Sequence, residues 1–195
     1  MLVYATLFIC DGLYTQEPLF KWQAQFRGHR TVILVVGECR INAGESVIHR
    51  VPYPEPVLGQ NPRYRHMRSK FELWALPYGR VVYYDVDVFV KAPVDRCARL
   101  CTASFCAVRD PVATWPVKSK TYFNSGFMVL TPSDAVYREL LQTRGRFGDA
   151  FAEQDLLNRA FPGWQKLPAR CNWLHYNENR PTALVDDDVY AVHKP

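Results

Sequence analysis

Along most of the chain, short runs of apolar residues alternate with stretches in which apolar positions recur at helical spacing. Runs of about four to eight residues rich in β-branched and aromatic side chains are typical of buried strands. The predicted strands are 3–9, 31–36, 46–51, 80–85, 104–108, 127–130 and 189–192, and the predicted helices are 18–26, 63–76, 133–141 and 152–161. Strands separated by helices favour an α/β fold with a mainly parallel central sheet flanked by helices. Ligands of such sheets bind beyond the carboxyl ends of the strands.

Local signals and chain length complete this outline. Ser133 stands where its hydroxyl can cap the helix predicted over 133–141, and four prolines within 52–62 predict a loop. The 195 residues fit one domain, 1–195, because no linker or internal repeat divides them. A fragment of a longer polypeptide is the other interpretation of the same length.

The composition excludes several classes of protein. A hydrophobic content of 48% and a charged content of 22% are ordinary for a soluble globular protein and not for a disordered or fibrous one. No apolar run approaches the roughly 18 residues that a membrane span needs. The apolar segment 2–10 lacks a basic lead-in, so it is interpreted as a first strand and not as a signal peptide. The expected location is the cytoplasm, or the host cytoplasm if the compact form reflects a large DNA virus.

The charge balance bears on the ligand. Lys and Arg total 24 against 19 for Asp and Glu, a formal charge of +5 that suits an anionic small molecule such as a nucleoside diphosphate. Nucleic acid is a weaker interpretation because the basic residues are spread along the chain. The densest basic group lies on one predicted helix, where it forms either a solvated face or a phosphate-facing one; its members are Arg63, Arg65, Arg68 and Lys70.

The six cysteines do not have metal-ligand spacing. The chain has no CxxC pair, and no histidine lies close in sequence to the group of Cys97, Cys101 and Cys106. A structural zinc site is therefore not expected. Reduced thiols in a cytosolic compartment are the simpler interpretation.

The segment with the clearest chemistry is 81–87, in which four apolar residues of a predicted strand are followed by Asp85 and Asp87. Residues i and i+2 of an extended chain lie on the same side, so both carboxylates can face one ion. Two adjacent anions repel each other, and a hard divalent cation such as Mg²⁺ or Mn²⁺ relieves that repulsion. The same cation can bridge to the diphosphate of a nucleotide and neutralise it as a leaving group.

Two other interpretations of this acidic pair stay open. Acidic pairs at strand ends also occur as solvated turn residues. A phosphohydrolase of the haloacid dehalogenase type would use Asp85 as its nucleophile, with 186–188 as its later acidic group. Against that class, 84 residues precede Asp85, and Val88 and Phe89 stand where it has a small hydroxyl residue.

Five segments resemble glycosyltransferase family 8, with glycogenin-like members the closest match, in the family's order and at compatible spacing. They are 69–74 (SKFELW), 122–130 (YFNSGFMVL), 153–158 (EQDLLN), Asn172 after Leu167-Pro168, and Val192-His193. The resemblance extends from the first strand to His193. It implies a GT-A fold and a Mn²⁺-dependent (or Mg²⁺-dependent) retaining transfer from a UDP-sugar such as UDP-glucose to a glycan or protein acceptor.

The resemblance also implies roles for individual residues. Asp85, Asp87 and His193 become the metal ligands. The implied donor-binding residues are Ile9 and Cys10 beside the base, Tyr14 stacked on it, Lys70, Asp85, Val86 and Asp87 near the phosphates, and Asn124 and Ser125 on the sugar, with Gly126 allowing close approach. The implied catalytic group around the anomeric carbon is Glu153, Gln154 and Asn124.

The chain departs from the family at two places. Glu153 stands where the family usually has Asp, which weakens a role as nucleophile and favours front-face attack. The family continues beyond the histidine as H-x-x-G-x-x-K-P-W, whereas this chain ends His193-Lys194-Pro195. Either Lys194 substitutes for the lysine that grips the diphosphate, or that lysine is lost, or the sequence is a fragment. A sugar-nucleotide-binding module without catalysis is a further hypothesis that the short end leaves open.

Overall fold

A computed structural model describes residues 1–10, 12, 15–54, 62–91, 93–110, 121–143, 152–174 and 189–193. The strands in these ranges are β1 Leu2–Ile9, β2 Thr31–Val36, β3 Val47–Val51, β4 Arg80–Tyr84, β5 Val88–Val90, β6 Phe105–Arg109, β7 Phe123–Leu130, β8 Gln165–Leu167, β9 Trp173–Leu174 and β10 Ala191–His193. The α-helices are α1 Glu17–Gln25, α2 Arg96–Arg99, α3 Asp134–Thr143 and α4 Ala152–Ala160, and 3₁₀ helices cover Pro62–Ala75 and Ala169–Cys171.

Seven strands form the central sheet in the order β3-β2-β1-β4-β7-β6-β8. β1 pairs in parallel with β2 and β4, β2 with β3, and β6 with β8, whereas β7 runs antiparallel to both β4 and β6. The predicted α/β fold with a mainly parallel sheet is therefore confirmed. The reversal of β7 brings its amino end to the sheet edge at which β4 ends.

The sheet is covered by helices on both faces. Alternate residues of β1 point to opposite sides, as strand geometry requires. Val3, Ala5, Leu7 and Ile9 pack with residues of the Pro62–Ala75 helix, α3 and α4, while Tyr4 packs with residues of α1. Burial on both faces explains why β2 is apolar throughout instead of alternating.

Most of the predicted elements are present with shifts of one or two residues at their ends. Ser133 does cap α3, because its Oγ accepts a hydrogen bond from the Val136 N–H at 3.4 Å. The helix predicted over 63–76 is present as the 3₁₀ helix Pro62–Ala75. β7 begins four residues before the predicted start at 127, and β5, α2, β8 and β9 were not predicted. Of the predicted proline-rich loop, 55–61 lies outside the described residues.

A second, three-stranded sheet in the order β5-β10-β9 lies beside the carboxyl end of β4. β10 runs antiparallel to β5, with His193 opposite Val88, and parallel to β9, with His193 opposite Leu174. Because β5 follows Asp85 and Asp87 directly, this pairing carries His193 back to the acidic pair.

The cysteines form three disulfides, so the expectation of reduced thiols is wrong. The pairs, with their Cα–Cα distances, are Cys10–Cys39 at 5.6 Å, Cys97–Cys171 at 5.8 Å and Cys101–Cys106 at 5.9 Å. Two of the pairs are separated by 29 and 74 residues, so only the fold brings their members together. Disulfides persist in oxidising compartments, so the cysteines no longer support a cytosolic location. None of the helices that the structure describes has the length and apolar character to cross a membrane.

The disulfides give a first testable prediction. Cys97–Cys171 spans 74 residues and Cys101–Cys106 only 5, and the entropic cost of closing a loop in the unfolded chain grows with its length. Replacing the first pair by alanine should lower the free energy of unfolding by about 4 kcal/mol, and replacing the second pair by about 2 kcal/mol. Denaturant unfolding measures both, and peptide mapping without reductant verifies the pairing. An equal loss in the two double variants would contradict the prediction.

Candidate active site

The predicted metal ligands converge at the carboxyl end of β4. The backbone N–H of Asp85 donates to the carbonyl of Gly126 at 2.8 Å, and the Val88 N–H donates to the carbonyl of Asp85 at 3.0 Å, which turns the chain between β4 and β5. His193 Nε2 lies 3.4 Å from Asp87 Oδ1 and 3.8 Å from Asp85 Oδ2. One ligand atom from each of the three residues lies within 4.8 Å of the others, a spacing at which they could hold one cation.

The charges of this cluster shift the titration of its members. Burial acts to lower the pKa of His193, but the hydrogen bond with Asp87 and the negative charges of Asp85 and Asp87 outweigh it, so the pKa lies above that of an ordinary histidine. Burial acts to raise the pKa of Asp85, but the positive charges of Lys70 and His193 hold it below its usual range. The carboxylates at the end of β4 therefore attract positive charge.

Lys70 lies at the centre of the buried part of the site. Its Nζ is 2.9 Å from Asp85 Oδ1 and 2.8 Å from Glu153 Oε1, and the residue is only 2% exposed. Tyr83 donates its hydroxyl hydrogen to Asp85 Oδ1 at 2.5 Å. Burial and the negative charge of Asp85 raise the pKa of Tyr83 well above its usual value, so the hydroxyl stays a donor. Asp85 is thus oriented by two donors on its inner side.

The segment that resembles the family's F-N-S-G is a bulge in β7. Ala107 of β6 pairs with Met128, whereas the next residue, Val108, pairs with Asn124. Residues 125–127 are therefore extra on the β7 side. A bulge bends its strand and redirects its side chains, and this one lies beside the end of β4, where the Gly126 carbonyl accepts the hydrogen bond from the Asp85 N–H.

Asn124 has a fixed orientation in this bulge. Its Oδ1 accepts hydrogen bonds from the Gly126 N–H and from Nδ2 of Asn172, both at 2.9 Å. Asn172 is 1% exposed, so it acts entirely within the protein. Two donors on the oxygen leave the amide nitrogen of Asn124 as the group that can donate to a ligand.

Side chains of helix α4 hydrogen-bond to the backbone of β7 at and next to the same bulge. Oε1 of Gln154 accepts from the Ser125 N–H at 2.9 Å, and its Nε2 donates to Asp110 Oδ2 at 3.1 Å. One turn later, Asn158 accepts from the Phe123 N–H at 2.8 Å and donates to the Phe123 carbonyl at 2.9 Å. Residues i and i+4 share a helix face, which explains the spacing of Gln and Asn in this motif.

Ser125 connects this support to the charged cluster. Its hydroxyl donates to Glu153 Oε1 at 2.7 Å and lies 3.3 Å from Gln154 Oε1. Glu153 is 4% exposed and its Oε1 also meets Lys70. Glu153 and Gln154, two of the three residues expected around the anomeric carbon, are therefore engaged with protein groups.

Gly126 has a steric role toward His193. A Cβ built on Gly126 would overlap the imidazole, lying 2.6 Å from His193 Nδ1, and would lie 2.9 Å from Asn124 Oδ1. Only glycine leaves room for the imidazole against β7. The resemblance implies that Gly126 allows close approach of the sugar. The structure shows that it also leaves room for His193, the third candidate metal ligand.

The other expected residues are distributed as follows. Ile9 and Cys10 end β1, with Ile9 buried in the core and Cys10 in a disulfide; Val86 is half-buried in the turn after Asp85; Tyr14 and Lys194 lie outside the described residues. Tyr83 and Asp110 contact the site but were not predicted. The signal for Tyr83 was its place two residues before Asp85, on the same side of an extended chain.

The steric role of Gly126 is testable through stability. Gly126→Ala should lower the free energy of unfolding by about 1–3 kcal/mol, because the new methyl group forces His193 and Asn124 to move. Gly163→Ala is the matched control, since no heavy atom lies within 4 Å of a Cβ at Gly163, and it should change the value by at most about 0.5 kcal/mol. Denaturant unfolding in the presence of a chelator measures both. Equal effects would show that His193 moves away freely.

Similar sequences are found among plant glycosyltransferases, although no protein-family model matches the chain. It is 30% identical over 163 residues to UDP-glucuronate:xylan alpha-glucuronosyltransferase 2 of Arabidopsis thaliana, a match that covers 77% of this chain and 26% of the relative. It is 32% identical over 149 residues to galactinol synthase 1 of Solanum lycopersicum, covering 64% of this chain and 45% of the relative. The chain thus spans less than half of the length of these relatives.

Solved structures with the same fold are also glycosyltransferases. The galactosyltransferase LgtC, in a complex with donor and acceptor sugar analogs, superposes with a TM-score of 0.65 at 14% identity, covering 98% of this chain and 86% of that one. GlyE of Streptococcus pneumoniae TIGR4 gives 0.70 at 12% identity, covering 98% and 53%. This likeness shows a GT-A fold, and the sequence relatives support the assignment of the chain to glycosyltransferase family 8.

Proposed function

We propose that the protein is a divalent-metal-dependent, retaining glycosyltransferase that transfers a sugar from a UDP-sugar such as UDP-glucose to a glycan or protein acceptor. One observation carries the proposal: Asp85, Asp87 and His193 meet at the carboxyl end of β4, within 4.8 Å of one another. Ligands of α/β sheets bind at this edge. The names of the plant relatives that use UDP-glucuronate support a UDP-linked donor.

The residues at this edge fit a divalent cation. Asp85, Asp87 and Glu153 carry three negative charges against one on Lys70, so with a neutral His193 the cluster has a net charge of −2. The buried Nδ1 of His193 has no hydrogen-bond partner among the described residues. Two carboxylates with one imidazole suit Mn²⁺, and Mg²⁺ less well. A cation held there would stabilise the negative charge that develops on the departing diphosphate.

The protein groups around the cation perform the positioning. Asn124 presents its amide nitrogen to the sugar, and Ser125 lies beside it at the end of β4. Lys70 orients Asp85 and Glu153 instead of reaching the donor directly, since its Nζ lies between them. We assign to Lys70 the role of holding the carboxylates of Asp85 and Glu153 at a fixed separation.

The engagement of Glu153 and Gln154 favours front-face attack. A nucleophile needs an oxygen about 3–3.5 Å from the anomeric carbon, but Oε1 of each residue already accepts hydrogen bonds from Ser125. In the proposed mechanism oxocarbenium character develops at the sugar, and the departing phosphate oxygen takes the acceptor's proton. Retention then follows without a covalent enzyme intermediate.

The phosphohydrolase alternative is not favoured. Asp85 follows β4, at a site built jointly with β7 and β10, and the relatives and fold neighbours are glycosyltransferases. Residues 186–188, the later acidic group of that alternative, lie outside the described residues.

The function is tested by substituting the outer carboxylate. With UDP-glucose and Mn²⁺, the wild-type protein should release UDP, and Asp87→Asn should lower that rate by at least about 100-fold, because one negative ligand to the cation is lost. Asp134→Asn on the exposed start of α3 is the control and should leave the rate unchanged. UDP release is measured with a coupled assay over a panel of UDP-, GDP- and dTDP-sugars. Wild-type protein that binds UDP with Mn²⁺ but releases none would instead support a binding module.

The affinity for the cation should depend on pH. The pKa of His193 is raised, so below that pKa the imidazole carries a proton that the cation must displace. Affinity for Mn²⁺ should therefore fall as the pH falls, by about tenfold per pH unit once His193 is protonated, starting above the usual histidine pKa of about 6.5.

Titration calorimetry of Mn²⁺ binding in buffers of different ionisation enthalpy measures both the affinity and the proton released. His193→Ala should bind more weakly and lose most of this dependence, whereas exposed His29→Ala should keep it. Affinity that stays constant across about pH 6 to 8 in the wild-type protein would contradict protonation of a metal ligand.

A further inference from the structure

Two arginine side chains lie against one tyrosine ring beside the second sheet. Tyr190 directly precedes β10, the strand that carries His193. The guanidinium carbon Cζ of Arg96 lies 4.5 Å from the centre of the Tyr190 ring, and that of Arg170 lies 4.9 Å from it. A guanidinium that stacks on an aromatic ring keeps its N–H donors available along its edges. The ring therefore holds two sets of donors beside each other. We call Arg96 and Arg170 the arginine pair.

The Cys97–Cys171 disulfide sets this arrangement. The arginine pair consists of the residues immediately before its two cysteines, whose Cα atoms are 5.8 Å apart. A backbone hydrogen bond places the ring as well, because the N–H of Tyr190 donates to the carbonyl of Arg170 at 2.8 Å. The two arginines and the tyrosine come from three separate segments of the chain, and these two links hold them together.

The charge of the arginine pair is not compensated within the described part of the chain. Neither arginine forms an ion pair with a described carboxylate, and Asp95, the acidic residue next to Arg96 in sequence, pairs with Arg99. Both Cζ atoms lie within 4.9 Å of one ring centre. They are therefore closer together than the roughly 10 Å over which salt at about 0.1 M screens charges. A negative group beside them would relieve their repulsion.

Arg170 is held more firmly than an ordinary surface arginine. Its inner nitrogen, Nε, is buried without a hydrogen-bond partner among the described residues, although the residue as a whole is only partly buried. Arg170 thus combines a fixed inner end with an outer end that reaches solvent. A side chain that is ordered before binding loses less conformational entropy when a ligand arrives. This order distinguishes the arginine pair from a solvated basic face, in which the side chains are mobile.

The chemistry of the arginine pair fits an oxyanion. A planar guanidinium can donate two parallel N–H bonds to one carboxylate or phosphate, which gives it a geometric specificity that the ammonium of lysine lacks. Two guanidinium groups beside each other present several such donors to one ligand. A phosphate and a carboxylate share the negative oxygens that accept them.

We propose that the arginine pair and Tyr190 form a second ligand site, which binds an oxyanion, either a phosphate or the carboxylate of an acidic saccharide. Tyr190 lies three residues before His193, which corresponds to roughly 10 Å along an extended strand. The site is therefore separate from the cation site, although the same strand connects them. The inference goes beyond the proposed function and requires neither a metal nor a nucleotide.

The first test measures phosphate binding in the absence of metal. Sodium phosphate is titrated calorimetrically into the wild-type protein, Arg96→Gln and Arg27→Gln, with a chelator present and at constant ionic strength. Arg96→Gln should weaken phosphate binding about tenfold or more, because charge-assisted hydrogen bonds are lost. Arg27→Gln replaces an exposed arginine after α1 and should leave the affinity unchanged.

A second probe separates the two sources of the oxyanion. Trigalacturonate, an acidic trisaccharide, is titrated into the same three proteins under the same conditions. Tighter binding of trigalacturonate than of phosphate assigns the site to the carboxylates of a saccharide, and the reverse order assigns it to phosphate. The proposal is overturned if the wild-type protein binds neither probe, or if Arg96→Gln and Arg27→Gln bind the tighter probe equally.

Arg170 is tested with two variants because it is partly buried. Arg170→Lys keeps the charge but loses the planar fork, and Arg170→Gln loses both, so the affinity for the tighter probe should fall in that order. A cooperative thermal transition shows that each variant is folded. If Arg170→Gln does not fold, Arg170→Lys and Arg96→Gln decide the outcome, and wild-type affinity in both of them would contradict the proposal.

Discussion

Three carboxylates, Asp85, Asp87 and Glu153, are held close together at the end of β4, and their mutual repulsion is the constraint around which the site is built. Lys70 offsets it in part, lying within 2.9 Å of both Asp85 and Glu153 while 2% exposed. Burying that ammonium costs several kcal/mol, which the two ion pairs must repay. Because one ammonium cannot neutralise three carboxylates, the site retains negative charge that a bound cation can neutralise.

Holding charged groups against their repulsion requires a backbone that cannot relax. Three features fix β7 relative to α4 and β10. They are the bulge at 125–127, the two hydrogen bonds between Asn158 and the backbone of Phe123, and the packing of His193 against Gly126. In the last two, a motif residue contacts the backbone of β7 and not solvent. Most residues of the sequence motifs therefore hold the backbone of the site in place, and few of them carry reactive groups.

Local patterns predicted the parts of this arrangement that depend on neighbours in sequence. The burial of β4 and the i, i+2 spacing of Asp85 and Asp87 follow from the residues themselves. The place of His193 came only from resemblance, because β10 reaches β5 across about a hundred residues of chain. Two of the three disulfides were missed for the same reason: Cys10 and Cys39, for example, become neighbours only when β1 and β2 pair. Hydrophobic periodicity also cannot show that β7 runs antiparallel.

That reversal decides what the site contains. In an all-parallel sheet, every strand contributes its carboxyl end and the loop after it, so the groups at the edge are loop residues. β7 instead enters the sheet at this edge, with Phe127 opposite Tyr84. Its first residues, Asn124 to Gly126, are therefore held by strand and helix contacts and not by a loop. Residues on rigid elements keep their geometry more closely than loop residues do, and the groups assigned to the sugar lie on such an element, β7.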